Sequence, residues 1–371
     1  MRKKENTFKT RFIPVLILTM IILSCSKSNP AGNDSDGYWQ QYLFEDPYNN
    51  FISNGLASDN NFYCTGKNGI SIFTSFDTKP TINDFSYISA GYDSKPVISP
   101  KLTAFSRENS KTGITLANYE TRKVKGLFPA RFATQFAGYQ FSLLTTMQEL
   151  GAINNQNRFI TAIKGRDSLG VPETCIVYAD IDLSNDMELA ELGYMKVPSM
   201  KDPMISIQDI ESFGDKFYIS YTSEMSPRSH YIEISENGKI REFTNHFDGS
   251  ICIITFFKYQ GYLCAQKSDE QLIYTSDGEN WQHMAYLTPL LSDFEEIEGY
   301  LFIYLDDKIY CLGDDIAKLK LYQIPTENLA GRTISSINKF NDKLVITTSN
   351  GIFYKSFNEI MEDKELLRKI N

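Results

Sequence analysis

The feature that most limits how this chain can fold is a β-hairpin pattern that recurs seven times. Residues 61–77 (NFYCTGKNGISIFTSFD) align with residues 342–358 (DKLVITTSNGIFYKSFN): an apolar strand, a polar turn with Asn-Gly, a second β-rich strand, then Ser-Phe-Asp or Ser-Phe-Asn. Asn-Gly between apolar runs is a strong hairpin signal, because both turn residues must take positive φ. Looser copies start near residues 101, 157, 216, 261 and 300, with a mean spacing of about 47 residues across all seven. Most copies also have a strand before and a strand after, as in TISSINKFND and LKLYQIP.

Four strands per unit at this period predict an all-β fold, a seven-bladed β-propeller, with six and eight blades as open alternatives and two packed sheets as the outside one. The seventh copy lacks a fourth strand, because residues 359–370 (EIMEDKELLRKI) have helical periodicity. GYWQQYLF, from Gly37, is an orphan strand, expected to pair into the last blade and close the ring.

The segments before Gly37 are of another kind. Residues 1–11 carry five bases and one acid, and Phe12–Leu23 is an apolar run too short to span a bilayer. Ile22-Leu23-Ser24-Cys25 resembles the bacterial lipobox, which implies cleavage before Cys25 and lipid on that cysteine. The expected organisation is a signal peptide over 1–24, a flexible tether over 25–36, and a propeller with a short C-terminal helix over 37–371. Ser26 after the cysteine resembles lipoproteins passed to the outer membrane, so the expected location is a lipid-anchored outer-membrane one. Cleavage removes five of 37 bases and one of 46 acids, leaving 32 against 45, a net −13. Such a surface repels nucleic acid and anionic headgroups.

Thr275-Ser276-Asp277-Gly278-Glu279-Asn280-Trp281 resembles the Asp-box of BNR-repeat propellers. That resemblance implies Thr275 and Asp277 on turn backbone, a tight turn at Gly278, and Trp281 packed beneath the blade. Ser75-Phe76-Asp77 and Ser356-Phe357-Asn358 look like degraded versions. Asp-boxes occur in sialidases and in many non-catalytic proteins. The sialidase Arg-Ile-Pro motif has one similar string here, Arg11-Phe12-Ile13-Pro14, and it lies in the signal peptide.

Candidate chemistry is sparse. His230, His246 and His283 are too scattered to suggest a metal site; Asp180, Asp182 and Asp186 read as a solvated turn before they read as a calcium site. His230 reads as a surface residue closing a long loop. Cys64, Cys175, Cys252, Cys264 and Cys311 sit in strand-like runs and read as buried free thiols, with a Cys252–Cys264 disulfide as the alternative. No cofactor is implied.

On the face bearing the second-to-third-strand turns, three consecutive units have long charged connections: residues 106–113, 164–174 and 222–230. They would form a wall presenting Arg107, Glu108, Lys111, Lys164, Arg166, Asp167, Glu224, Arg228 and His230. The expected function is a non-catalytic envelope binding or scaffold protein that engages a protein partner or a glycan through this wall. The alternative is a polysaccharide-active envelope enzyme, a glycosidase or lyase.

Overall fold

The computed structural model describes residues 38–371 except 59, 67–68, 85–95, 100, 107–113, 119–120, 122, 127–139, 142–150, 167–168, 185–187, 198–199, 201–204, 224–225, 245–246, 248–250, 288–292, 314–315, 317–318 and 370–371. The signal peptide, Cys25 and the tether lie outside the described residues.

Seven small antiparallel sheets succeed one another around a ring: a seven-bladed β-propeller. In blade 1 the strands are Ile52–Ser58, Asn61–Gly66, Gly69–Phe73 and Thr81–Asp84, from the channel outward. Blades 2, 4 and 5 repeat this order from Val97, Ile205 and Ile253. In blade 3 the innermost position is shared by Gln140–Phe141 and Ala152–Ile153, which pair with opposite ends of Arg158–Arg166.

Blade 7 closes the ring. Its own three strands, Ile334–Phe340, Lys343–Thr348 and Gly351–Ser356, are completed by Gln40–Tyr42, in the register Gln40↔Tyr354 to Tyr42↔Ile352. The expected closing strand is therefore present. Trp39 fixes its start: the side chain is 4 % exposed, Nε1 donates to the Pro325 carbonyl at 3.0 Å, and Asn328 Nδ2 donates to the Trp39 carbonyl at 2.8 Å.

The C-terminus departs from expectation. Helix ends at Asp363, and Glu365–Lys369 is a strand that pairs with Lys320–Ile324, giving blade 6 a fifth strand. Leu366, Leu367 and the flanking charges suit a helix face and a sheet edge equally. The free edge of blade 6, with backbone groups to satisfy, decides between them.

The core is divided among the seams. Seven apolar clusters lie among the described residues, one between each pair of adjacent blades. Middle strands are buried on both faces, so successive side chains go to opposite seams: Tyr218 lies in the blade 4–5 cluster, its neighbours Phe217 and Ile219 in the blade 3–4 cluster. Four innermost strands share a bulge. An isoleucine precedes it (Ile52, Ile207, Ile253, Ile334) and a polar residue follows (Asn54, Asp209, Thr255, Ser336). The extra residue turns a side chain that would face the channel toward the neighbouring blade.

Candidate functional site

The ring has two faces. One, here the hairpin face, carries the second-to-third-strand turns and the blade-to-blade connections. Ile334 N and Gly331 N, in the connection to blade 7, bond Asp306 O and Asp307 Oδ2 in the hairpin turn of blade 6. The opposite face carries the remaining turns, including residues 275–281.

On the hairpin face the wall is built mainly of strand. Second strands span five or six residues in blades 1, 2, 5, 6 and 7, but nine in blade 3 and eight in blade 4. Residues 222–230, expected as a loop, are a bulged hairpin with Ser223↔Ser226 and Tyr221↔His230 in register. In blade 3 the ladder runs to Arg166↔Pro172, leaving a five-residue tip. Three extra residues raise that tip by about 10 Å.

Of the wall residues, Arg107, Glu108, Lys111, Asp167 and Glu224 lie outside the described residues, and Arg228 is placed only as part of its strand. Lys164 is half-buried; its amine donates to the Ile205 carbonyl at the start of blade 4, and desolvation lowers its pKa. Arg166 Nη1 donates to the Gly170 carbonyl at 2.7 Å, folding over its own tip. Lys164 thus ties the tall hairpin of blade 3 to the innermost strand of blade 4. His230 is buried rather than exposed, its ring stacked on Tyr221 at 5.2 Å. Strand pairing with Tyr221 turns it into the blade 3–4 seam. Among the described residues of the tip, Leu169 is 85 % exposed and Val171 50 %.

The turn after the third strand of blade 5 is held by its own side chains. Asp277 Oδ1 accepts from Glu279 N and Asn280 N at 2.8 Å each, and Thr275 Oγ1 accepts from Gly278 N at 3.1 Å. The bond from Asn280 N leads those that hold the Asp277 carboxyl well below the usual range. Trp281 Nε1 donates to Tyr231 Oη at 2.9 Å, and Tyr231 Oη donates to the Gly278 carbonyl at 3.1 Å. The turn is thereby docked onto blade 4. Ser75 and Asp77 bond each other similarly in blade 1, whereas Ser356-Phe357-Asn358 begins the C-terminal helix.

A tyrosine–glutamate pair sits beside this turn. Tyr218 Oη donates to Glu233 Oε2 at 2.9 Å, with Lys216 at 3.0 Å and Arg241 at 3.6 Å from the same carboxylate. Both are buried in the blade 4–5 seam, and burial, then Glu233, pushes the Tyr218 hydroxyl far above its ordinary value. That is the reverse of what a nucleophilic tyrosine needs. The pair serves as a brace.

Sequence reasoning passed over one group. Asp209 Oδ2 accepts from Phe256 N at 2.6 Å and Thr255 Oγ1 at 3.1 Å, tying blade 4 to blade 5; Oδ1 accepts from Ile210 N at 2.9 Å. Burial pushes its carboxyl up to about 7 despite these bonds. Asn338 and Asn54 make the corresponding links from blade 7 to 1 and from 1 to 2.

Other candidates are engaged elsewhere. Asp180 forms a paired ion bridge with Arg158 at 2.5 and 2.7 Å, Asp182 accepts from Ser184, and Asp186 and His246 lie outside the described residues. His283 is exposed beside Tyr286. Among the described residues no three His, Cys, Asp or Glu side chains are grouped to hold a metal ion. The five described cysteines are free thiols, four buried and Cys252 half-buried.

No family model and no curated protein matches the chain. Solved structures resemble it in fold. Puromycin hydrolase matches at 9 % identity with a TM-score of 0.55, over 86 % of this chain and 54 % of that one. A prolyl endopeptidase matches at 11 % and 0.52, over 87 % and 50 %. PorZ of Porphyromonas gingivalis, a bacterial surface component of the type-IX secretion system, matches at 10 % and 0.51, over 89 % and 39 %. The chain spans about two-fifths to just over half the length of these structures. Identities so low speak for the fold alone.

Proposed function

We propose that the chain is a lipid-anchored envelope protein with a non-catalytic binding or scaffold role, docking on an envelope component through the hairpin face of blades 2–4. The observation that carries this reading is the raised pair of hairpins in blades 3 and 4, the first tied to the innermost strand of blade 4 through Lys164 and carrying the exposed Leu169 and Val171 at its tip. Rigid scaffolding beneath an exposed apolar tip is how folds present recognition surfaces.

The anchor at Cys25 rests on the order of basic, apolar and small-Cys segments in the sequence. An outer-membrane location follows from Ser26 in the same reading. Among the described residues no helix is long and apolar enough to cross a membrane. The Asp277 turn fits the Asp-box type, in which the carboxylate is spent on turn backbone. A photo-crosslinker at position 169, introduced in cells, tests the face. An adduct with an envelope component that is weakened by Arg107→Ala, Arg166→Ala and Arg228→Ala is expected. Absence of any adduct there, with adducts forming from the opposite face, would overturn the proposal.

A further inference from the structure

We infer that the partner of the docking face proposed above is a protein, and that an extended segment of it, apolar with one basic residue, adds as a fifth strand to the outer edge of blade 3; this names the partner class for that face and rests on it.

The outer edges of the blades are not alike. The fourth strands of blades 1, 2, 4 and 5 have four, three, five and five residues. Blade 7 ends on the three residues Gln40–Tyr42, and blade 6 is covered by Glu365–Lys369. Short or covered edges are how sheets avoid unwanted pairing. Blade 3 has neither protection among the described residues. Its fourth strand, Glu188–Lys196, is nine residues long, and none of the described strands pairs with its outer side. From Glu191 to Lys196 its register on the third strand is unbroken, and the one bulge lies beyond Glu191. A regular edge of this length turns a row of backbone donors and acceptors outward. Blade 6 shows that an outer edge of this ring takes a further strand of only five residues.

The side chains along the edge set the chemistry of the segment. Tyr194, in the middle of the regular run, is 38 % exposed. At Gly193 the ring of Tyr178 crosses over the strand: a Cβ there would stand 2.7 Å from Tyr178 Cε1, and the hydroxyl donates to Glu191 Oε1 at 2.7 Å. A large apolar side chain opposite Gly193 would pack on that ring. Glu191 is exposed, and with Asp180 it sets two acids beside one base, Arg158. The position opposite Glu191 therefore suits Lys or Arg. Past Lys196 the third strand continues through Pro172, Glu173 and Thr174 to the exposed Val171 and Leu169, so a strand climbing this edge arrives at the tip.

A second copy of the chain fits less well. Two-fold antiparallel pairing of one strand with itself sets opposite each other only positions an even number of residues apart, so Glu191 cannot meet Lys196, five residues on. Two chains of net −9 also repel.

A synthetic peptide, acetyl-Thr-Ile-Val-Phe-Val-Lys-amide, is the probe; paired antiparallel, it puts its Phe opposite Gly193 and its Lys opposite Glu191. Added to the full chain, it should slow amide exchange in residues 191–196 by about fivefold or more and leave the fourth strands of the other blades unchanged. N-methylation of every second residue should abolish the slowing in the frame that faces the strand and preserve it in the other frame. Glu191→Lys should weaken the peptide roughly fivefold, and a peptide ending in Glu should recover the loss. Unslowed exchange in 191–196, or the same slowing with both methylated peptides, overturns the inference. Photo-crosslinkers at positions 169 and 194, in cells, separate it from the reading it rests on. Adducts with a single protein at both positions are expected. An adduct at 169 alone keeps the docking face and overturns the added strand; one at 194 alone sustains the strand and overturns the tip; adducts at neither overturn both.

Discussion

Asp209 is the one charged member among the four residues that follow the inner-strand bulges, and its chemistry sets a pH signature. Its folded value, about 7, lies above the ordinary 3.8 because burial disfavours the carboxylate more than its hydrogen bonds favour it. The folded state therefore holds the proton more tightly than the unfolded chain. The associated stability is complete below about pH 4 and is lost as pH rises through 7. Asp209→Asn removes this titration. Thermal melts should show the variant gaining on the parent by on the order of 2 kcal/mol between pH 4 and pH 8, after discounting for solvent screening; a pH-independent difference would assign the carboxyl an ordinary value. Gly278 is the other single position with a sharp expectation. Its φ is +78°, and a Cβ there would lie 2.4 Å from Tyr218 Oη, itself fixed by Glu233. Gly278→Ala should cost about 2 kcal/mol or more in denaturant unfolding, through strain and displacement of the buried tyrosine.

At the level of elements, ring closure rests on a strand of three residues, too short to hold by pairing alone. Trp39 supplies the rest, filling the blade 6–7 seam among Ile297, Leu329, Ile337 and Phe353. Trp39→Ala should cost about 3–5 kcal/mol, with amide exchange rising first in residues 334–356; uniform exchange across all blades would argue against a local role. The strand Glu365–Lys369 covers the free edge of blade 6, and its bulge between the Leu321 and Tyr322 pairings discourages further pairing. Truncation after Lys364 should raise aggregation in light scattering with little loss of stability. Repeats and closing strand were legible because each depends on local signals: Asn-Gly turns and alternation. Misreadings arose where tertiary context decides. Ser226–Ile234 looks like a loop because Pro, Ser and Arg lead it, yet pairing with Tyr221 and its neighbours holds it extended. ELLRK has a helical pattern, and an open sheet edge overrides it. In SIQDIESF nothing marks Asp209 as a half-buried link to blade 5, because the bulge that turns it inward is a property of the paired strand. Of the candidate wall, the lengthening of blades 3 and 4 was legible, whereas the inward turn of His230 and the apolar tip were not; the blade 2 part lies outside the described residues.

The molecule as a whole carries its own reporters of cooperativity. Cys64, Cys175, Cys264 and Cys311 are buried in blades 1, 3, 5 and 6, and burial pushes their thiols up, to about 12, about 11 and about 12 for Cys64, Cys175 and Cys311. Of the five described cysteines, native protein should show only Cys252 reacting quickly with a thiol reagent, and Cys252→Ser should abolish that phase. If the seven seams hold the ring as one unit, the four buried thiols become reactive at one denaturant concentration; staggered exposure would show that blades open singly. The closing strand has a mechanical consequence too. A pull on the chain from the N-terminal side arrives at Trp39 before it reaches the three backbone pairs of Gln40–Tyr42. To peel the ladder, such a tug must first draw an indole out of a packed seam and break its bond to Pro325. The load is then shared by blades 6 and 7 through a rivet, and the weak stitches behind it are spared.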